Sequence, residues 1–245
     1  MYNNYMPHFF IDSKNITNNK IIISDKENFS HIVKSLRTKI GENILLIDEN
    51  RIQYEGVVSD IGKISVDIDI KKSYPSKRFL KFNLTLAQSP LNSNSQATVI
   101  EKATELGADN IYPVYTDNCA VKKSVLDNKI EKWQKIMYEA SKQCERAYVP
   151  KCHNLTTLKD IINMDFDKVL AFVEHSAKQN LKDYLAKNPI KENENVLVII
   201  GPEGGFSKKE FELFESNNKI QMLSLGDLIL KADTAVVAAL GNIVL

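Results

Sequence analysis

The stretch Val196-Leu-Val-Ile-Ile-Gly-Pro-Glu-Gly-Gly-Phe-Ser207 decides the fold, and Leu225-Gly-Asp-Leu-Ile-Leu-Lys-Ala-Asp-Thr-Ala235, about twenty residues further on, completes its meaning. The five apolar residues 196–200, four of them β-branched, have the length and composition of a strand buried on both faces. Gly201, Gly204 and Gly205 then let the chain turn sharply, and a strand that stops in a glycine-rich turn is a usual ligand edge of an α/β sheet. Ser207 stands three residues before Glu210 as a capping box, with Phe206 and Phe211 placed as a hydrophobic staple, so a helix is expected from about Lys208. No Gly-Lys-Ser/Thr follows the turn and the dinucleotide glycine spacing is absent, which excludes a Walker loop and a Rossmann fingerprint.

Outward from this corner, strands and helices alternate. A strand is expected over 82–87, a helix over about 97–106 closed by Gly107, and a strand over 110–114. A long helix after Asp127 carries Ile130, Trp133, Met137, Ala140 and Cys144 as one apolar stripe, which reads equally as core or as partner surface. A strand over 168–173, a helix near 176–186, the strand at 196–200, the capped helix, a strand over 220–224 and a final alanine-rich helix follow. This alternation predicts an α/β domain with a mostly parallel sheet and helices on both faces.

Before about residue 70 the pattern changes to short strand-like segments at 8–11, 20–23, 44–48, 53–59 and 64–70, which resemble a small β-barrel. A helix interrupts them, with Ser24 and Glu27 as its expected capping box and Ile32, Val33 and Leu36 on its inner face. Between residues 71 and 81, Lys71, Lys72, Lys77, Arg78 and Lys81 surround Pro75 with no acidic residue among them. This reads as a linker, either touching phosphate or simply solvated.

With 245 residues and 43% hydrophobic content, the chain is long enough for one large or two smaller cores. A formal net charge of +1 gives no global field for a polyanion, so any such site must come from local clustering. Cys119, Cys144 and Cys152 are odd in number and lack CxxC spacing, which argues against a disulfide framework and a zinc site. The Asn-rich first six residues do not read as a secretory signal, and no apolar run approaches a membrane span. The cytoplasm is the simplest expected location.

Several motifs now stand in a recognisable order. They are Ala87-Gln88 after a strand, Glu101-Lys-Ala-Thr-Glu-Leu-Gly107, Trp133-Gln-Lys-Ile136, Glu139-Ala-Ser-Lys-Gln-Cys-Glu-Arg146 with Val149-Pro150, the turn 201–207, and Leu225-Gly226 with Ile229-Leu230 and Thr234-Ala235. Together with His8-Phe9-Phe10 and the segment 31–36, they make the chain resemble the RsmE-type ribosomal RNA methyltransferases over nearly its whole length. The resemblance implies a PUA-like β-barrel, RNA-binding, over 1–72, and a SPOUT methyltransferase domain over 73–245 with a trefoil knot at its carboxyl end. It also implies S-adenosylmethionine as cofactor, no metal, a homodimer, and 16S ribosomal RNA or the small ribosomal subunit as substrate, methylated at N3 of a uridine.

On this reading Gly201, Gly204 and Gly205 bring main-chain groups close to a flat adenine, while Leu225, Leu228, Ile229 and Leu230 supply apolar walls. Phe172, Val173 and Glu174, at the end of the preceding strand, Ile200, Gly226, Thr234 and Ala235 complete the expected cofactor edge. Glu203 either bonds cofactor or loop amides or holds the turn as a structural carboxylate. Arg146 and Lys231 are the candidate cations for phosphate or a developing oxyanion. Asp233 is the candidate proton acceptor and equally a helix N-cap. The chain departs from the family pattern in Ser89-Pro-Leu-Asn-Ser-Asn-Ser95, at Leu228, at Lys231-Ala232-Asp233, near Asn118-Cys119 and at Glu145, where family cations or glycines are replaced. Every cation missing from a phosphate weakens RNA binding and flattens its salt dependence. A SPOUT methyltransferase acting on another RNA, and a non-catalytic RNA-binding protein with a degenerate knot, are the alternative readings.

Overall fold

The computed structural model describes residues 6–173, 177 and 179–245. The chain divides into two compact units, one of residues 1–79 with 142–148 and one of residues 80–141 with 149–245. The division expected at 72/73 falls inside a strand, and the return of residues 142–148 to the first unit carries no signal in the sequence.

The first unit holds β1 (His8–Phe10), β2 (Ile16–Thr17), β3 (Lys20–Ile23), α1 (Lys26–Ser30), β4 (Asn43–Ile47), β5 (Ile52–Ile61) and β6 (Val66–Pro75). They form a six-stranded sheet in the order β1-β4-β5-β6-β3-β2, parallel between β1 and β4 and otherwise antiparallel. Strand alternation sends Phe9, Ile21, Ile23, Ile44, Leu46, Val58, Val66 and Ile68 into one core. Three expectations are corrected here. Asp25, not Ser24, caps α1, because its carboxylate accepts from the Asn28 main chain at 2.8 Å. Of the expected inner face, Ile32 is fully buried, whereas Leu36 is exposed. The basic stretch after residue 70 is not a free linker either, since it continues β6 as far as Pro75, paired with Ile52.

The second unit contains β7 (Asn83–Gln88), α2 (Ser93–Glu105), β8 (Asn110–Tyr115), α3 (Lys123–Leu126), α4 (Ile130–Gln143), β9 (Lys151–Cys152), β10 (Thr156–Thr157), α5 (Leu158–Ile162) and β11 (Lys168–Phe172). It ends with β12 (Gln179–Asn180), α6 (Leu181–Lys187), β13 (Asn195–Ile200), α7 (Lys208–Glu215), β14 (Ile220–Ser224) and α8 (Ala232–Val244). Every strand pairing in this sheet is parallel, in the order β10-β8-β7-β13-β11-β14-β12 with β9 also on β8. This is the mostly parallel α/β sheet expected from the alternation.

The period-2 geometry of β13 divides its side chains between two cores. Val196, Val198 and Ile200 join α2, α4, α6 and α8 on one face, while Leu197 and Ile199 join α5 and α7 on the other. All five are at most 3% exposed, so each contributes about 1.5–3 kcal/mol of apolar burial. The α4 stripe is core: Trp133 and Met137 are buried against the first of these faces.

Candidate functional site

The carboxyl ends of β13, β11 and β14, adjacent in the sheet, bring Ile200, Phe172 and Ser224 to one edge. There the turn 201–206 and the loop 225–231 enclose a cavity of about 550 Å³. That volume lies within the range of small-molecule sites, and the carboxyl edge of a parallel sheet is where such sites form.

The turn is held by its own hydrogen bonds and by a clamp from outside. Gly205 N donates to Pro202 O at 3.0 Å, closing the bend. Asn118, in the loop after β8, donates through Nδ2 to the carbonyls of Gly204 and Gly205, both at 3.1 Å. A side chain at residue 204 would place its Cβ 3.2 Å from the Asn118 Cβ, a tight contact that Asn118 would have to give way to by a few tenths of an ångström. Next to Asn118, the Asp117 carboxylate accepts from Ser207 Oγ at 2.6 Å, while Asp117 N donates to Glu210 Oε1 at 3.0 Å. Glu210 also accepts from Ser207 N at 2.7 Å, which completes the capping box and starts α7 at Lys208 as the sequence predicts. Two main-chain donors and the positive end of α7 thus compensate a carboxylate that is only 8% exposed. Behind the turn, Phe206 meets Phe211 and Phe214 edge-on, with ring centroids 6.2 and 4.9 Å away. Such pairs are worth about 0.5–1.5 kcal/mol each beyond burial, and Phe206 and Phe211 also line the cavity.

The opposite wall is the loop between β14 and α8. Gly226 turns it with φ +141°, a conformation open to glycine and strained for other residues. Leu228 and Ile229 are 81% and 60% exposed beside the cavity, where they leave apolar surface open to solvent. Lys231 occupies the N-cap position of α8 in an extended conformation without a side-chain cap bond. Asp233 therefore does not cap the helix: it sits in the first turn, where its Oδ1 accepts from Thr234 N at 2.8 Å.

Of the residues expected on the cofactor edge, Phe172, Ile200, Gly201, Glu203, Gly204 and Gly205 line the cavity from the β11 and β13 side. Leu225, Gly226, Leu228, Ile229, Leu230 and Ala235 line it from the other, together with Lys231. Thr234 and Asp233 are adjacent in sequence to lining residues but are not on the wall, and Glu174 lies outside the described residues. Arg146 belongs to the first compact unit, where it is 5% exposed with its guanidinium carbon 5.1 Å from the Tyr148 ring centroid. Val173, expected beside Phe172, is on the wall as well, whereas sequence reasoning missed Pro202, Phe206, Phe211, Leu223, Ser224, Asp227 and Ala232 there. Leu223 and Ser224 follow once β11 and β14 are known to be neighbours. Asp117 and Asn118 were missed as the clamp, and no motif spacing announces them.

Glycine main chain on one side, aliphatic walls on the other and the amide end of α8 at the rim fit a ligand with a flat polar-edged base, an apolar contact surface and an anionic end. A parallel α/β sheet with such a cavity at its carboxyl edge defines a class of small-molecule-binding α/β proteins. Within that class the particular family is given by two matches, an RNA methyltransferase domain over residues 79–244 and an RNA methyltransferase PUA domain over residues 23–71, and the chain belongs to this RNA methyltransferase family. It is 29% identical over 234 residues to the ribosomal RNA small subunit methyltransferase E of Rickettsia conorii, covering 96% of this chain and 93% of that one. A methyltransferase of Legionella pneumophila solved with bound SAM superposes with a TM-score of 0.82 at 25% identity, covering 97% and 96% of the two chains. The ribosomal RNA small subunit methyltransferase E of Neisseria gonorrhoeae, bound to S-adenosyl methionine, shares the fold with a TM-score of 0.81 at 23% identity over 97% and 96%.

Replacing Asn118 by Ala removes both donors to the turn and leaves two carbonyls without their partner. Urea denaturation is expected to show a loss of about 1–2 kcal/mol. An unchanged midpoint and slope would mean that the turn does not depend on this clamp.

Proposed function

We propose that the protein is an S-adenosylmethionine-dependent methyltransferase that modifies N3 of a uridine in the 16S RNA of the small ribosomal subunit, acting in the cytoplasm as a homodimer. The observation that carries this reading is the cavity between the turn 201–206 and the loop 225–231 in a chain of the RNA methyltransferase family. Relatives over nearly the whole length named for small-subunit ribosomal RNA support the substrate. Among the described residues no helix is long and apolar enough to cross a membrane.

Bound in this cavity, S-adenosylmethionine supplies a methyl carbon on a sulfonium, open to in-line attack. Main-chain groups of Gly201, Gly204 and Gly205 would hold its base, with Leu225 and Leu230 excluding water from the opposite side. The first turn of α8 presents main-chain donors and the positive end of a helix dipole, which suits a carboxylate. Uridine N3 offers no free lone pair until its proton leaves, so the chain must stabilise an imide anion or accept the proton as the bond forms. Lys231, on the cavity wall, is the cation assigned to the developing oxyanion, and Asp233, two residues on, is assigned the proton. Arg146 is assigned to phosphate. Glu203, exposed on the turn, is assigned to cofactor hydroxyls or loop amides. The target base must leave its stack to react, at a cost of a few kcal/mol that binding elsewhere on the RNA has to offset.

The homodimer is supported by Leu228, Ile229 and Val237, exposed apolar residues on the loop and on the solvent face of α8 that a second copy would cover. The trefoil knot belongs to the same reading. Its support is that α8 packs back against β13 and α2 after β14 has paired on the far side of β11.

Purified protein, S-adenosylmethionine and unmodified small subunits are expected to yield N3-methyluridine by nucleoside mass spectrometry, with Lys231→Met lowering kcat at least tenfold. Methyl transfer to a different nucleoside or RNA would reject the substrate, and saturable RNA binding with no cofactor binding would favour the non-catalytic reading. Sedimentation at micromolar concentration is expected to give twice the 27.8 kDa chain mass. A stable monomer there would contradict the dimer.

A further inference from the structure

The first compact unit carries a cluster of arginines and aromatic rings that the cavity chemistry does not use. Arg51 sits at the turn between β4 and β5 with φ +63°, a left-handed conformation uncommon outside glycine, asparagine and aspartate. The Arg51 N–H donates to Asp48 O at 3.0 Å and its carbonyl accepts from Ser76 N at 2.8 Å, so the main chain holds the residue in that conformation. Its guanidinium lies over two rings at once, 4.4 Å from the Tyr148 centroid and 5.1 Å from the Phe79 centroid. Arg51 makes no ion pair with a carboxylate among the described residues, although two carboxylates precede it in the turn. Asp48 is occupied by Asn50 N, Ile52 N and Tyr54 Oη, and Glu49 by Ser13 N and Oγ. The Arg51 charge is therefore held by π faces and left unneutralised.

The segment 142–148 adds to this face. Ala147 N donates to Arg78 O at 3.1 Å and Glu145, itself at φ +57°, pairs with the Arg78 guanidinium, fixing Tyr148 against Arg51. Arg146 approaches the Tyr148 ring to 5.1 Å. Arg51 and Arg146 thus both lie near the Tyr148 ring, and Arg78 is tied to the segment that carries it. Burial first, then the charge of Arg78, push the pKa of the His8 ring down to about 4. Amid these cations, Phe79 keeps 41% of its surface exposed and Arg51 is exposed as well. An exposed phenyl under an arginine plane that has no carboxylate partner among the described residues matches the chemistry that binds unpaired nucleotides, whose bases stack on aromatic and guanidinium planes while cations hold their phosphates.

We propose that Arg51, Phe79 and Tyr148, with Arg78 beside them, form a stacking platform for an unpaired nucleotide of the RNA substrate. The platform rests on the RNA methyltransferase reading and gives it a second binding site, one that helps offset the extrusion of the target base.

The test uses the full chain and a fluorescein-labelled single-stranded oligouridine, followed by anisotropy, with a duplex of equal length as comparison. Phe79→Ala is expected to weaken single-strand binding about tenfold, the scale of removing one base stack, with a much smaller effect on the duplex. Phe79→Trp is expected to restore most of it. Arg51→Gln is expected to weaken binding and to reduce the salt slope by about 0.7, the value for one single-strand phosphate. Calorimetric S-adenosylmethionine affinity, read in parallel, separates the two ideas: its absence would reject the methyltransferase reading without touching the platform. Single-strand binding within twofold of the parent protein for both Phe79→Ala and Arg51→Gln, or an equal weakening on duplex and single strand, would overturn the platform.

Discussion

The grip of the Asp117–Asn118 pair on the turn 201–207 is the interaction on which the site depends. A strand as apolar as β13 has one way to end at the surface without strain, and that is to release its chain into a turn whose carbonyls and amides find partners. Within the turn one such bond forms, between Gly205 and Pro202. The remaining partners come from a loop some ninety residues earlier in the chain, which supplies two donors to Gly204 and Gly205, an acceptor to Ser207 and a donor to Glu210. The consequence is a rim in which glycine main chain faces the cavity and side-chain hydrogen bonds stay behind it. Ligand specificity can then be carried by the backbone, which tolerates drift in the surrounding side chains.

How much of this is legible in the sequence follows from how local the causes are. The strand at 196–200, the capping box on Ser207 and Glu210 and the Phe206/Phe211 staple involve residues a few positions apart, and all are present as read. The strand over 220–224 matches residue for residue. The misreadings have equally physical origins. Ser24 and Asp25 are both good caps, and the choice between them depends on which carboxylate or hydroxyl reaches Asn28. Asp233 resembles a cap because the alanine-rich run begins after it, whereas the helix starts earlier, with Lys231 in the extended N-cap conformation. The basic stretch 71–81 reads as a linker by composition, but pairing with β5 makes its first half a strand, a long-range fact with no local signature. The Asn118 clamp and the cation–π pairs around Arg51 belong to the same category.

The two compact units divide the chemistry. The second supplies a backbone-lined cavity with Lys231 on its wall and Asp233 two residues further on in the first turn of α8. The first collects cations and rings on one face, in part through residues 142–148. Lys72 pairs with Glu55 and Lys81 with Glu192 at the surface, where such pairs contribute little to stability, whereas Lys168 and Glu194 pair with side chains only 13% and 16% exposed. Arg51, by contrast, has no carboxylate partner among the described residues and lies over two rings.

The central claim is that the bends after β13 and after β14 together form one nucleoside-binding site. A crystal structure of the protein with S-adenosylmethionine, or its demethylated product, tests this most directly. The expected result is a ligand between Gly201–Gly205 and Leu225–Leu230, with its base against main-chain atoms. A ligand bound elsewhere on the chain, or bends that stay filled by their own side chains at saturating concentration, would contradict it.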